Sequence, residues 1–324
     1  MLYRGAEYTR SDMRYEPELE GFWRSVITIK GSVLRVVIVR ALYFGALALG
    51  VYVIGLIFNV HLGISVAPYE LGGALLGMLL VLRTNAGYDR WWEARKLWGS
   101  IVNQSRNLVV TVLANAPDDA AWRDETVRWI AAFSHVAQYS LRGERTIPRL
   151  DLLLGREEAA RIAAADHMPS YVTLRIAKLL RDGRDRLGLD SFVYLIADQQ
   201  RTALIDHIGG CERILKTPLP RVYSVEIHRF IMLFLITLPF ALLDKLHYAW
   251  LNPIATVMVA YPLLALNQIG IDLQNPFDRR MLGHLPLEGI CDIIERNSLS
   301  LLSTKEPAKQ TDGTSQPSAP LSAS

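Results

Sequence analysis

From Ala41 to Val60 the chain runs for twenty residues without a charge, and Asn59 is the only clearly polar side chain in the stretch. Twenty residues of α-helix rise about 30 Å, the hydrocarbon thickness of a bilayer. A helix that packs on a soluble core keeps a polar face, and this segment has none. The chain is therefore predicted to live in a membrane.

Composition indicates how much of it does. Hydrophobic residues make up 51% of the 324 and the mean hydropathy is +0.18, low for a chain built only of spans. Charged residues make up 21%, near the globular average of about 25%. The two figures are reconciled by a few spans joined to a large water-facing helical part.

The spans are expected at about 37–60, 64–82, 230–243 and 250–270. Leu71–Leu82 holds twelve residues without a charge, which is short for a crossing. That span reaches membrane length only with Ile64–Glu70 included, so Glu70 falls at or just inside the membrane face. Pro239, Pro253 and Pro262 lie within the last two spans, where neighbouring helices can satisfy the freed carbonyls. Residues 83–225 read as soluble helices, among them Ala120–Leu141 and Ser170–Leu187, broken at Pro117, Gly143, Pro148 and Gly188. Residues 1–302 are taken as one domain. Residues 303–324, rich in Ser, Pro, Thr and Lys, read as a disordered tail. Residues 1–30 carry charges throughout and no apolar core, so they are not a signal peptide.

Loop charges set the topology. His61–Tyr69 holds no Lys or Arg, and Asp244–Ala249 holds only Lys245. The positive-inside rule places both hairpin loops outside and both termini in the cytoplasm of a plasma-membrane (inner-membrane) protein. No internal repeat is evident, and Arg40 and Glu70 sit at span ends rather than at mid-depth. Both features disfavour a transporter.

Other classes fall away on composition and spacing. A net charge of +3, with no interleaved basic and aromatic stripe, excludes nucleic acid as a partner. Cys211 and Cys291 have neither CxxC spacing nor nearby His partners, so they are read as buried apolar thiols, with no metal site and no cofactor. His135, His207 and His228 are scattered and form no catalytic set, and Asp118-Asp119 reads as a helix N-cap region. No enzyme is expected.

The second span carries the most information. Gly73 and Gly77 form a GxxxG that lets helices approach closely. Glu70, Ala74, Met78 and Leu82, four apart, share one helical face. That stripe is either ordinary burial with a wet carboxylate, or a pore wall with a carboxylate at its outer mouth and three apolar rings below it. Apolar rings gate by size and dewetting, and carboxylate rings attract cations. Beyond Leu82, Trp91, Trp92 and Trp98 alternate with arginines as in an interfacial belt.

Three runs, in order, resemble the bestrophin family, and its bacterial branch above all. They are RTNAGYDRWWEARKLWG (Arg83–Gly99), GGCERILKTPLPRVYSVEIHR (Gly209–Arg229), and Asn275-Pro276-Phe277 followed by Leu285-Pro286-Leu287-Glu288. The resemblance covers about residues 10–300. It implies an all-α fold with four transmembrane helices per subunit plus a cytoplasmic helical region, assembled as a homopentamer around a central pore in membrane lipid. It implies a hydrophobic neck, carried over to Ala74, Met78 and Leu82, the face already defined by spacing. Glu70 then stands at the pore mouth, and a cytoplasmic aperture maps near Phe192. Ala74 is smaller than the bulky neck residue usual in the family, which leaves the outer ring wide.

The resemblance implies passive flux of chloride or other small inorganic anions. Animal members are opened by calcium held in an acidic cluster after the NPF motif. Here that segment reads Asp278-Arg279-Arg280-Met281-Leu282-Gly283-His284, and arginines oppose a divalent cation where six to eight oxygens are needed. No calcium clasp is expected. Five Glu70 carboxylates argue instead for a sodium-type, monovalent-cation channel, unless Arg83 and Arg90 face the pore and offset them. A non-conducting membrane scaffold is the further alternative.

Overall fold

The computed structural model describes residues 31–60 and 62–303. The N-terminal stretch read as lacking a signal peptide, His61 of the first hairpin loop, and residues 304–324 of the expected tail lie outside them. Among the described residues the fold is entirely helical.

Helix α1 (Leu34–Phe58) begins seven residues before the charge-free segment and carries it as far as Phe58. It ends at Asn59, whose φ of 52° puts it in the left-handed region and lets its N–H reach the Gly55 carbonyl. Asparagine tolerates this conformation better than other residues with a Cβ. Helix α2 (Ala67–Ala114) is 48 residues long, with Pro68 in its first turn. The sequence divides it at Leu82, but the backbone does not. The change there is from apolar to charged side chains, and it leaves the hydrogen-bond ladder intact.

The predicted helix over Ala120–Leu141 is α3 over the same residues, and the Asp119 carboxylate accepts from the Trp122 N–H at 2.9 Å. This is the N-cap expected of Asp118-Asp119. Helices α4 (Pro148–Leu153) and α5 (Arg156–Ala164) follow. Helix α6 (Met168–Leu187) starts two residues before the expected Ser170, because Pro169 fits a first turn, and it ends at Gly188 with φ 80°. Helix α7 (Ser191–Lys216) is capped by Asp190, which accepts from the N–H groups of Phe192 and Val193.

Helix α8 (Arg221–Lys245) extends the third span at both ends, and Pro239 remains inside it. The first hairpin loop is tied to it, with the Ile64 N–H donating to the Phe240 carbonyl at 3.2 Å. A 3-10 turn (Ala249–Leu251) leads into α9 (Asn252–Asp272). Helix α10 (Leu287–Leu302) closes the described chain.

The helices form two bodies sharing α2. In the first, Val37 and Ala41 of α1, Ile231 and Leu235 of α8, and Ala260 and Leu264 of α9 enclose Leu76 and Leu80. In the second, Trp98, Ile101 and Leu108 of α2 join Trp129 and Phe133 of α3, Leu204 of α7 and Phe277. Both thiols are free and buried. Burial raises Cys211 to about 12 and Cys291 further, so both are inert thiols.

Three helical segments, Leu34–Phe58, Arg221–Lys245 and Ala249–Asp272, are long and apolar enough to cross a bilayer. Only 22%, 33% and 28% of their most apolar stretches are buried in the protomer. Leucines and methionines such as Leu42, Leu49, Leu233 and Met258 stand exposed. Apolar surface on that scale requires lipid or another subunit around it. The first third of α2 is less apolar, because Glu70, Gly72, Gly73 and Gly77 dilute its leucines.

Candidate functional site

The two sides of α2 have different surroundings. Leu76, Leu80, Arg83, Gly87, Ala94 and Trp98 recur at three, four and seven residues and are all buried. That spacing defines one helical face. The opposite face carries Glu70, Ala74, Met78 and Leu82, and no described residue covers it. Met78 is 55% and Leu82 52% exposed. Twelve residue steps place Glu70 about 18 Å from Leu82 along the axis. Leu71, Leu75 and Val81 flank the stripe and are exposed as well.

Only one half of the predicted GxxxG is used within the protomer. Phe234 of α8 occupies the space above Gly73, where a Cβ would come within 3.3 Å of its ring, whereas no described residue lies within 4 Å of a Cβ on Gly77. Tyr69 packs on the same ring at 5.9 Å. Gly77 shares the helix with the open stripe and leaves that side free for a close neighbour.

Neither arginine faces the open stripe. Arg83 is 1% exposed and donates to the Asn267 side-chain oxygen on α9. Arg90 donates to three carbonyls, those of Ile214, of Thr217 at 2.7 Å and of Gln274 at 3.3 Å. Ile214 and Thr217 end α7, and Gln274 follows α9, so one cation satisfies orphan carbonyls at two helix ends. The sequence left open whether these arginines offset Glu70 on the pore-facing side, and packing turns both away from it. The signal was present, because Arg83 stands three residues after Leu80 and four before Gly87 on the buried face.

The aromatic belt is divided too. Trp91 is partly buried and donates to the Gly283 carbonyl at 2.7 Å. Trp92 and Tyr88 are half-exposed and stacked, with centroids 6.5 Å apart.

Phe192 occupies the second position of α7 and is 77% exposed, beside exposed Leu195 and Ile196 on the same face. Helix α7 runs antiparallel to α2. Gly210 lies against Leu97, and Arg213 pairs with Glu93 at 2.6 Å. Counting helical rise from those contacts, Phe192 lies about 50 Å from Leu82 along α2. The two predicted constrictions therefore stand near opposite ends of one long helix.

After α9 the NPF segment folds inward. Phe277 is fully buried, and the Leu285 N–H donates to the Pro276 carbonyl at 2.8 Å. The carboxylates of this region are engaged by arginines. Arg142 donates to Glu288 at 2.6 and 3.2 Å, and Arg279 donates to it at 2.6 Å. Burial pushes the Glu288 carboxyl up, but these arginines outweigh it and bring it to about 2. Asp278 is bonded to Arg280, which holds its carboxyl below the usual range. Among the described residues no group of three or more His, Cys, Asp or Glu is arranged to hold a metal ion.

His135 is a satisfied core residue, bonded to Glu295 at 2.8 Å, and Glu295 is also bonded by Arg149. Burial lowers the His135 pKa. The cluster joins α3 to α10 and offers no open site for chemistry.

Comparison with known proteins agrees with this architecture. The voltage-dependent anion channel-forming protein YneE of Escherichia coli K12 is 33% identical over 289 residues, covering 88% of this chain and 93% of that protein. A voltage-dependent anion channel-forming protein of Ralstonia nicotianae is 35% identical over 272 residues, covering 82% and 87%. These relatives are named as channels, not as enzymes. The crystal structure of a bacterial bestrophin homolog from Klebsiella pneumoniae superposes with a TM-score of 0.75 at 28% identity, covering 84% of this chain and all of that one. The family model described as bacterial/fungal bestrophin protein matches residues 13–300. The chain belongs to the bestrophin family, in its bacterial and fungal branch.

Proposed function

We propose that this protein is an anion channel that passes chloride or other small anions through a homopentamer. In this reading the first third of α2 is a fourth span. Copies of Ala74, Met78 and Leu82 surround the axis as a hydrophobic neck, with Glu70 at the outer mouth and Phe192 at a cytoplasmic aperture. The protein sits in the plasma membrane (the inner membrane) with both termini cytoplasmic.

The observation that carries the reading is the two-sidedness of α2. One face is packed and bolted to its own protomer, while the other is uncovered along the stripe picked out by four-residue spacing. A helix of this kind in a membrane needs either further copies or an aqueous path on its open side. The relatives' names as anion channel-forming proteins support the choice of ion. Four spans in one subunit are too few for a private pore, so conduction requires an oligomer.

A monovalent-cation channel of the same architecture is the second reading. It is favoured by the exposed Glu70 and by the engagement of both Arg83 and Arg90 within the protomer. The deciding experiment is the reversal potential of purified, crosslink-verified oligomer in a planar bilayer under a salt gradient. A value near the chloride equilibrium potential supports the anion reading, and a value near that of the cation makes Glu70 the filter. A verified oligomer that stays silent with and without Met78→Ala indicates a scaffold.

A further inference from the structure

Arg83 is a buried cation that no described residue of its own protomer neutralises. Its guanidinium donates to Asn267, and its Nε is buried without an acceptor. Among the described residues no carboxylate pairs with it. Arginine does not shed its proton in proteins. A permanent buried charge without a counter-charge is unfavourable, and such groups are ordinarily paired.

A second guanidinium and an imidazole converge on the same place from other helices. Arg40 of α1 donates to the side-chain oxygen of Gln268 at 3.4 Å, next to the Asn267 that holds Arg83. His228 of α8 bonds to Asn267 and lies within the field of both guanidinium groups. The nearest acid on α9, Asp272, accepts from the Gln268 amide at 3.0 Å and pairs with no cation among the described residues. Arg40 and His228 are exposed while Arg83 is buried, so the cluster has an open rim and a charged floor.

Its depth is marked twice in the sequence. Arg40 immediately precedes the charge-free stretch of α1, and Arg83 immediately follows the apolar stretch of α2. Both therefore fall at the same membrane edge, the cytoplasmic one in the topology drawn from loop charges. Basic pockets between spans at that depth bind anionic headgroups, and the planar guanidinium matches phosphate oxygens.

We propose that Arg83, Arg40 and His228 form a binding site for a phosphate group at the cytoplasmic edge of the span bundle, away from the open face of α2. The phosphate is supplied by an anionic phospholipid headgroup or by free phosphate. The site is independent of which ion the channel conducts, and its test reads binding rather than current.

The full chain, purified in neutral detergent, is mixed with phosphatidylglycerol, with phosphatidylcholine, or with sodium phosphate against sodium chloride at equal ionic strength. Thermal midpoint and lipid phosphorus retained per chain are recorded. Phosphatidylglycerol is expected to raise the midpoint and remain bound where phosphatidylcholine does neither. Saturation by sodium phosphate alone identifies the free ion as the ligand instead. Because Arg83→Gln risks misfolding, the exposed rim is tested with the double variant Arg40→Gln, His228→Gln. That variant is expected to weaken the effect at least tenfold. Equal responses to the two lipids with none to phosphate, or an undiminished response in the double variant, overturn the proposal.

Discussion

Gly87 of α2 and Leu273, at the end of α9, meet so closely that a Cβ on the glycine would stand 3.1 Å from the Leu273 Cβ and 3.3 Å from the Gly270 carbonyl. Backbone bounds this contact on one side, so it cannot relax by a rotamer change alone. Gly87→Val should destabilise the protein by about 1–3 kcal/mol, the usual cost of overpacking. Thermal unfolding of the purified variant measures it, and an unchanged midpoint would mean that α2 and α9 separate more readily than this contact implies.

Glu288 should make stability depend on pH in the acid range. Its folded pKa of about 2 lies below the ordinary value of 4.5. The unfolded chain therefore takes up its proton first as pH falls, and stability present above about pH 4.5 is lost toward pH 2. Thermal midpoints measured from pH 6 to pH 2.5 should fall, and Glu288→Gln should flatten that fall. The variant should also be less stable at pH 7, by about 3 kcal/mol at most, because Arg142, whose side chain is 3% exposed, loses its counter-charge.

Arg90 satisfies carbonyls at two helix ends, and no neutral side chain can replace all three bonds. Arg90→Ala should cost about 2–4 kcal/mol on the scale of charge-assisted hydrogen bonds. Arg90→Lys should recover only part of this, since an ammonium lacks the planar fork. Chemical denaturation of the two variants orders them against wild type.

Met78→Ala should widen the proposed neck and raise basal current several-fold, with the oligomer intact by crosslinking. Met78 is exposed in the protomer, so little stability should be lost. Single-channel recording checks the claim, and an unchanged conductance and open fraction would remove Met78 from the conduction path.

Glu70→Gln should shift the reversal potential toward the anion value if Glu70 rings the outer mouth, because the charge that concentrates cations is gone. The shift should shrink in high salt as the ring is screened. No shift at any ionic strength places Glu70 outside the ion's path.

Much of this was legible from residues alone. The twenty charge-free residues after Arg40 make α1 a membrane helix whatever surrounds them, since hydrocarbon leaves the backbone no other partner. Asp119 caps α3 and Gly188 ends α6 because those side chains, or the lack of one, act within a single turn. The four-residue stripe from Glu70 to Leu82 follows from helical geometry. These are local facts, fixed by spacing along the chain.

Sequence by itself determined that this chain is helical, enters a membrane, and carries a two-faced second helix, because periodicity and hydrophobicity are properties of neighbours in the chain. Only the tertiary structure decided which face is closed and which cations are already used. Arg83 faces inward because Asn267, 184 residues away, accepts its hydrogen bond. Arg90 serves α7 and α9 because their ends arrive beside it, and Glu288 is held near pKa 2 because Arg142, 146 residues distant, reaches it. A charge's partner is set by distance in space, and that appears only once the helices have packed.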